Sequence, residues 1–245
     1  PETPSSAETS VAPGTPLPTA PASAAAGKQA TGEHPRLWLT TADLPRLRAW
    51  ASDSNPLYRD GLAVVLANAT DAMDRGDVPD QDCGSREYEE YATEMYAELF
   101  AFASLVHPDA AARADYAARA RTLLMTAITE AAKGPATQEN YNCNGSRGYP
   151  PFRHPEFFTT DSNRARWHGE AFPLVVDWIY PSLSAADKAK IRTVFLRWSE
   201  EIKQSGYHHP EPVGLVNDPA LLADRLQVRW AGNNYFTAHM RNLGL

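Results

Sequence analysis

Apolar side chains recur every three or four positions through most of the chain, the period of a helix with one buried face. No stretch alternates convincingly with the period of two that a half-buried strand needs. His34-Pro35-Arg36-Leu37-Trp38-Leu39 reads as a short extended opening, and Thr40 and Asp43, three apart, form a capping box for the first helix. Asn55-Pro56 opens a second helix with the stripe Tyr58, Leu62, Val65, Ala69 and Met73, proline being tolerated in a first turn. A third carries Tyr88, Tyr91, Met95, Leu99, Phe102 and Val106. His107-Pro108-Asp109 stops it and starts a fourth, with Tyr116, Ala120, Leu123, Ala127 and Ala131 inward and Gly134 as its C-cap. Trp167, Ala171, Leu174 and Trp178 mark another helix, which Pro173 should kink or divide. Ser184 and Asp187 form a second capping box ahead of Ile191, Phe195, Trp198 and Ile202, with a stop at Gly206. The last apolar run, from Trp230, reaches Leu245 without a stop signal, which predicts that the helical part continues past the end of the sequence.

The pattern therefore predicts an all-α chain. Helices at 86–107 and 109–133 are joined tightly, as are those at 167–180 and 184–206, so each pair should form an antiparallel hairpin. Residues 134–162 make a connection far longer than usual, and loops of that length in compact domains are generally functional or disordered. Tyr141, Tyr149, Phe152, Phe157 and Phe158 within it argue against disorder.

Residues 1–33 are of another composition. Six prolines, many Ala, Ser and Thr, and Val11 and Leu17 as the larger aliphatics cannot bury enough surface to offset the entropy of ordering. The segment reads as a disordered, semi-rigid tether ahead of a helical domain at 34–245. Tethers of this kind often come after a secretion signal or lipid anchor, which favours a secreted, periplasmic or cell-surface protein over a cytoplasmic one.

Charge narrows the partners. With 23 Lys+Arg against 30 Asp+Glu the net charge is -7, which disfavours nucleic acid as a partner, since phosphate contacts need an excess of cations. No apolar run approaches the roughly 20 residues of a membrane span. Two cysteines, Cys83 and Cys143, exclude a disulfide-dense scaffold and a four-cysteine zinc site. They fit a single disulfide or two free thiols.

Three segments carry a resemblance. His34-Pro35-Arg36-Leu37-Trp38-Leu39-Thr40, and then Asp43-Leu44-Pro45-Arg46-Leu47, resembles the opening of heparinase II/III-type polysaccharide lyases. Asp177-Trp178-Ile179-Tyr180-Pro181-Ser182-Leu183-Ser184 resembles a hairpin of the same helical toroids, and Gly232-Asn233-Asn234-Tyr235 resembles the Asn-His site motif of alginate lyases. The resemblance, to the chondroitin AC/alginate lyase-like superfamily, covers 34–245. It implies an incomplete (α/α) toroid of antiparallel helical hairpins that cleaves a uronic-acid-containing polysaccharide by β-elimination, without a cofactor. It also implies a C-terminal β-rich domain and later site residues beyond Leu245. By the same resemblance Asn234 neutralises the substrate carboxylate, while Tyr235 stands where the motif has His.

The chemistry can be argued on its own terms. β-Elimination removes the proton at C5, beside a carboxylate, and expels the oxygen at C4, so a neutral amide, an arginine or a metal must stabilise the developing charge. A base and an acid are also needed, and His and Tyr can serve as either. Asn233, Asn234, Tyr235, His239, Arg241 and Asn242 crowd into the last predicted helix, with Tyr235 and His239 four apart on one face. Asn234, Tyr235 and His239 are the catalytic candidates. Between residues 147 and 166 Arg147, Arg153, Arg164 and Arg166 stand against Glu156 and Asp161, with Trp167 and His168 next. Because arginine grips carboxylates in bidentate fashion and tryptophan stacks on sugar faces, Arg153, Trp167, His168, Asn233 and Arg241 are the substrate-binding candidates.

Plainer roles compete. Asn233-Asn234 suits a helix N-cap after Gly232, His239 and Tyr235 suit core positions, and the arginines suit a solvated basic surface. His208, His209 and Glu211 suggest a metal, but adjacent histidines diverge and Pro210 and Pro212 suggest a loop, so no metal site is expected. Two other function classes stay open. A glycoside hydrolase on a similar toroid would need paired carboxylic acids, with Asp161, Glu170 and Asp177 as candidates, and a non-catalytic polysaccharide-binding protein would need only the groove.

Overall fold

The computed structural model describes residues 32–79, 92–136, 152–153, 163–203 and 241–245, with the side chains of 163–168 and 203 outside that description. Among the described residues every regular element is helical: α1 Leu44–Trp50, a π-helical turn Tyr58–Leu62 running into α2 Ala63–Arg75, α3 Thr93–Val106, α4 Ala110–Ala132, α5 Asn163–Trp178, a 3-10 turn Tyr180–Ser182, and α6 Ala185–Lys203. No helix among them is long and apolar enough to cross a membrane. Residues 1–31, Cys83, Cys143, His208, His209, Glu211 and most of the 134–162 connection lie outside the described residues.

The caps form largely where the sequence places them. At Ser184–Asp187 the box is reciprocal, with the Ser184 amide donating to Asp187 (2.9 Å) and the Asp187 amide donating to the Ser184 hydroxyl (3.1 Å). Asp109 caps α4 by accepting from the amides of Ala111 and Ala112. At Thr40–Asp43 half of the box forms. The Thr40 amide and hydroxyl both donate to the Asp43 carboxylate, and the regular helix starts a turn later, at Leu44.

Helix α3 is the centre of the packing, against α4 on one side and α5 on the other. Ala97, Ala101 and Ala103 on α3, with Ala120, Ala127 and Ala131 on α4, keep the two backbones close, while Phe100, Leu123, Leu124 and Ile128 fill the space between layers. Each large apolar side chain buried this way contributes roughly 1.5–3 kcal/mol. Leu99, Phe102 and Val106 pack into the core as the stripe predicts and Met95 is exposed, while burial on two sides adds Phe100 and Leu105 to the buried set.

The second helix departs from expectation at its start. Its first turn is π-helical, and the Ala63 amide donates back to the Tyr58 carbonyl five residues earlier. Tyr58, Leu62, Ala69 and Met73 face the core as the stripe predicts, while Leu66 is buried and Val65 is exposed. Pro173 neither ends nor divides α5, which runs through it. The turn at 180–182 is tight, as expected. Helix α6 packs along α4, where Arg121 grips Asp187 with two hydrogen bonds and Arg197 donates to the Ala131 carbonyl. It meets α5 through Trp198 stacked on Phe172.

The opening segment, with no helical hydrogen bonds of its own, is tied down by the end of α5. Asp177, 3% exposed, accepts from the amides of Arg36 (2.7 Å) and Leu37 (2.9 Å) and from Nδ1 of His34 (2.6 Å). Its neighbour Trp178 donates from Nε1 to the Leu37 carbonyl (3.1 Å). His34 stacks on Tyr180 at 3.9 Å, and Lys188 lies over the same tyrosine ring. Since Asp177→Ala leaves two backbone amides and an imidazole without their acceptor, it should cost about 3 kcal/mol or more. Urea denaturation checks this, with a lower midpoint expected at an unchanged slope.

Candidate functional site

The segment that ends the chain returns to α5 at a glycine. A side-chain Cβ at Gly169 would collide with the Asn242 amide and lie only 2.8 Å from Cβ of that residue, so nothing larger fits while Asn242 stays where it is. Asn242 is 7% exposed. Beside it, Arg241 pairs with Glu170 of α5. Glu98 of α3 faces the same pair. Burial pushes its carboxyl above the usual range, the Glu170 carboxylate pushes it further, and Arg241 partly offsets both. One turn earlier Glu94 is fully buried in the first turn of α3, where the helix dipole favours a carboxylate.

Next to this cluster a cleft of about 200 Å³ opens between α5, α6 and the terminal residues. Pro173, Phe195, Trp198, Ile202, Leu243 and Leu245 give it apolar walls, and Ser199 and Asn242 supply the polar groups. The aromatic wall is layered, Trp198 stacking on Phe195 at 5.8 Å and on Phe172 at 6.2 Å. Chemically, the cluster places a carboxyl with a raised pKa near a carboxylate held by arginine. The cleft offers an apolar face to a ring.

Of the residues singled out in the sequence, Arg241 is here, its side chain 47% exposed and engaged with Glu170. Arg153 donates from Nε to the Gly134 carbonyl just past α4 (2.9 Å) while its own carbonyl accepts from the Ala136 amide. Trp167 and His168 lie on α5 immediately before Gly169, and their side chains are outside the described residues. Asn233, Asn234, Tyr235 and His239 also lie outside the described residues. Asp177, a candidate acid for a hydrolase, has both carboxylate oxygens committed to the opening segment. Among the described residues no three His, Cys, Asp or Glu side chains gather as a metal site.

Glu98 was not singled out, although the sequence held a signal. Glu94 and Glu98 stand four apart in an otherwise uncharged helix, a spacing that puts both on one face. No family model matches the chain, and no curated protein or solved structure matches it.

Two outcomes test this geometry. Gly169→Ala should destabilise the fold by about 1–3 kcal/mol, the scale of overpacking a tight contact, and limited proteolysis should then cut the C-terminal segment sooner. A carboxyl whose folded pKa is raised binds its proton more tightly in the fold. Its stabilising contribution is therefore complete below the unfolded value of about 4.3 and lost as pH rises through the folded value. Glu98→Gln should accordingly raise the melting temperature at pH 7, with the gain shrinking as the pH falls towards 4.

Proposed function

We propose that the chain supplies the helical arc of a polysaccharide lyase, cleaving a uronic-acid-containing polymer of the alginate or heparinoid kind by β-elimination. The observation that carries this reading is the meeting of two segments on which the family resemblance rests. His34 and Asp177 are 143 positions apart, yet the opening segment and the Asp177–Ser184 turn form one hydrogen-bonded unit. All-helical architecture and the tight α3–α4 connection suit hairpins of an (α/α) toroid. Arg241 and Asn242, a few residues after the third segment in the sequence, meet α5 at Glu170 and Gly169.

In this reading Asn234 donates its amide hydrogen bonds to the uronate carboxylate, stabilising charge that grows as the C5 proton leaves. His239 or Tyr235 takes that proton, and a second such group protonates the departing C4 oxygen. The proline-rich start fits a protein held outside the cytoplasm, where acidic polysaccharides are met.

A second reading has its own observation. Burial and then the Glu170 carboxylate raise the pKa of Glu98, and a raised carboxyl interacting with a second carboxylate is one of the requirements of a glycoside hydrolase. The products separate the two, since a lyase leaves an unsaturated, ultraviolet-absorbing end and a hydrolase a saturated one. On alginate, heparan sulfate, chondroitin or hyaluronan, Asn234→Ala in the natural protein should lower the rate of unsaturated product by roughly 100-fold or more, with circular dichroism unchanged. Full activity in that variant would assign Asn234 to a helix cap instead. Saturated ends that disappear in Glu98→Gln would establish the hydrolase.

A further inference from the structure

Trp38 is a costly placement on the described surface. It is 61% exposed, and its φ of 61° lies in the left-handed region that side chains rarely enter. The Leu39 amide donates to the Leu37 carbonyl (2.7 Å), closing a three-residue turn around it, and turns of this hand are rare and strained. Glycine would adopt that backbone freely. Instead a large aromatic stands there with most of its surface in water.

The turn is clamped from both sides. Before it, Asp177 holds the amides of Arg36 and Leu37, and Trp178 holds the Leu37 carbonyl. After it, the Thr40 amide and hydroxyl are fixed on Asp43. Strain survives only where the surroundings over-determine it, and an observed outlier of this kind points towards function. The indole is thus presented on a rigid base, which lowers the cost of ordering it on binding. Two residues away Arg36, 48% exposed, has Nε 3.8 Å from Asp177. Its guanidinium carries further donors suited to a carboxylate.

We propose that Trp38 and Arg36 form a surface binding site for an acidic polysaccharide, the indole stacking on a sugar ring and the guanidinium meeting a ring carboxylate. The platform rests on the turn geometry, while the class of ligand rests on the lyase reading above. Trp38 and Arg36 are not among the residues proposed for the chemistry (Asn234, Tyr235 and His239), and their role is to hold the polysaccharide.

The test uses the natural protein with alginate, heparan sulfate, chondroitin and hyaluronan oligosaccharides, and dextran as a neutral control, measured by calorimetry. Trp38→Gly should weaken binding about ten-fold, the scale of one aromatic stacking contact, while the melting temperature holds or rises because strain is relieved. Trp38→Tyr should retain most of the affinity, and Arg36→Gln should weaken the acidic ligands alone. Unchanged affinity in Trp38→Gly overturns the proposal, as does a melting temperature that falls in Trp38→Gly, which would assign the indole to packing. Wild-type protein that binds none of the acidic oligosaccharides, or binds dextran equally well, overturns the ligand class. If binding depends on Trp38 but no polymer is cleaved, the platform stands and the lyase reading falls. If cleavage depends on Asn234 while Trp38→Gly binds normally, the reverse holds.

Discussion

The carboxylate of Asp177 carries the organisation of the described fold. An extended segment has no ladder or helix to satisfy its amides, and buried amides without partners cost more than most packing contacts contribute. Asp177 meets that need for Arg36 and Leu37 and takes His34 as well, from the last turn of α5. Trp178 adds the Leu37 carbonyl, and Tyr180 adds a stacking surface for the imidazole. Three features (the opening segment, the end of α5 and the turn into α6) are thereby fixed relative to one another through one buried acid. The strained turn at Trp38 persists because this anchor leaves its backbone nowhere else to go.

A second constraint comes from α3. A helix packed on one side can turn its polar residues to water, whereas α3 is covered by α4 and α5 together. Small residues solve most of the crowding, but Glu94 and Glu98 remain on the covered side. Glu94 has the start of the helix to favour its charge. Glu98 has no such help, faces Glu170, and is relieved in part by Arg241 from the end of the chain. Docking of the terminal residues on α5 is therefore electrostatic as well as steric, and Gly169 is the position that makes the close approach possible.

How much of this could be read in advance varies with the range of the interaction. Local signals were legible: the Ser184–Asp187 box, the Asp109 cap and the left-handed Gly134 after α4 all arise from a few neighbouring residues. The inward face of α4 at Ala120, Leu123, Ala127 and Ala131 was legible too, since a regular 3.6-residue period holds throughout it. Val65 shares the face of buried Ala69 and Ala72 yet is exposed, because periodicity gives the direction of a side chain and not the presence of a neighbour to cover it. Met95 was misassigned because burial on two sides erases the polar face that periodicity relies on. Asp177 was legible as chemistry but not as a clasp, for its partners are backbone amides more than a hundred positions away. The Gly134 carbonyl that Arg153 meets could not be seen from spacing either, since the two lie at opposite ends of a long connection.

The polar groups divide by whether the fold satisfies them, and that division guides where function belongs. Burial alone would push the Asp187 carboxyl up, yet the Ser184 amide and hydroxyl and the Arg121 guanidinium hold it below its ordinary value. Asp177 likewise has a donor for each oxygen. Groups matched so fully gain nothing from a ligand, and their work is structural. Glu98 is the opposite case, a carboxyl that its surroundings disfavour in charged form, and Trp38 is the backbone equivalent, held in a conformation its side chain resists. A fold retains such local conflicts only against a gain made elsewhere. For Trp38 the conflict lies at a solvent-facing aromatic whose flanks are rigid, the arrangement on which the proposed binding platform rests.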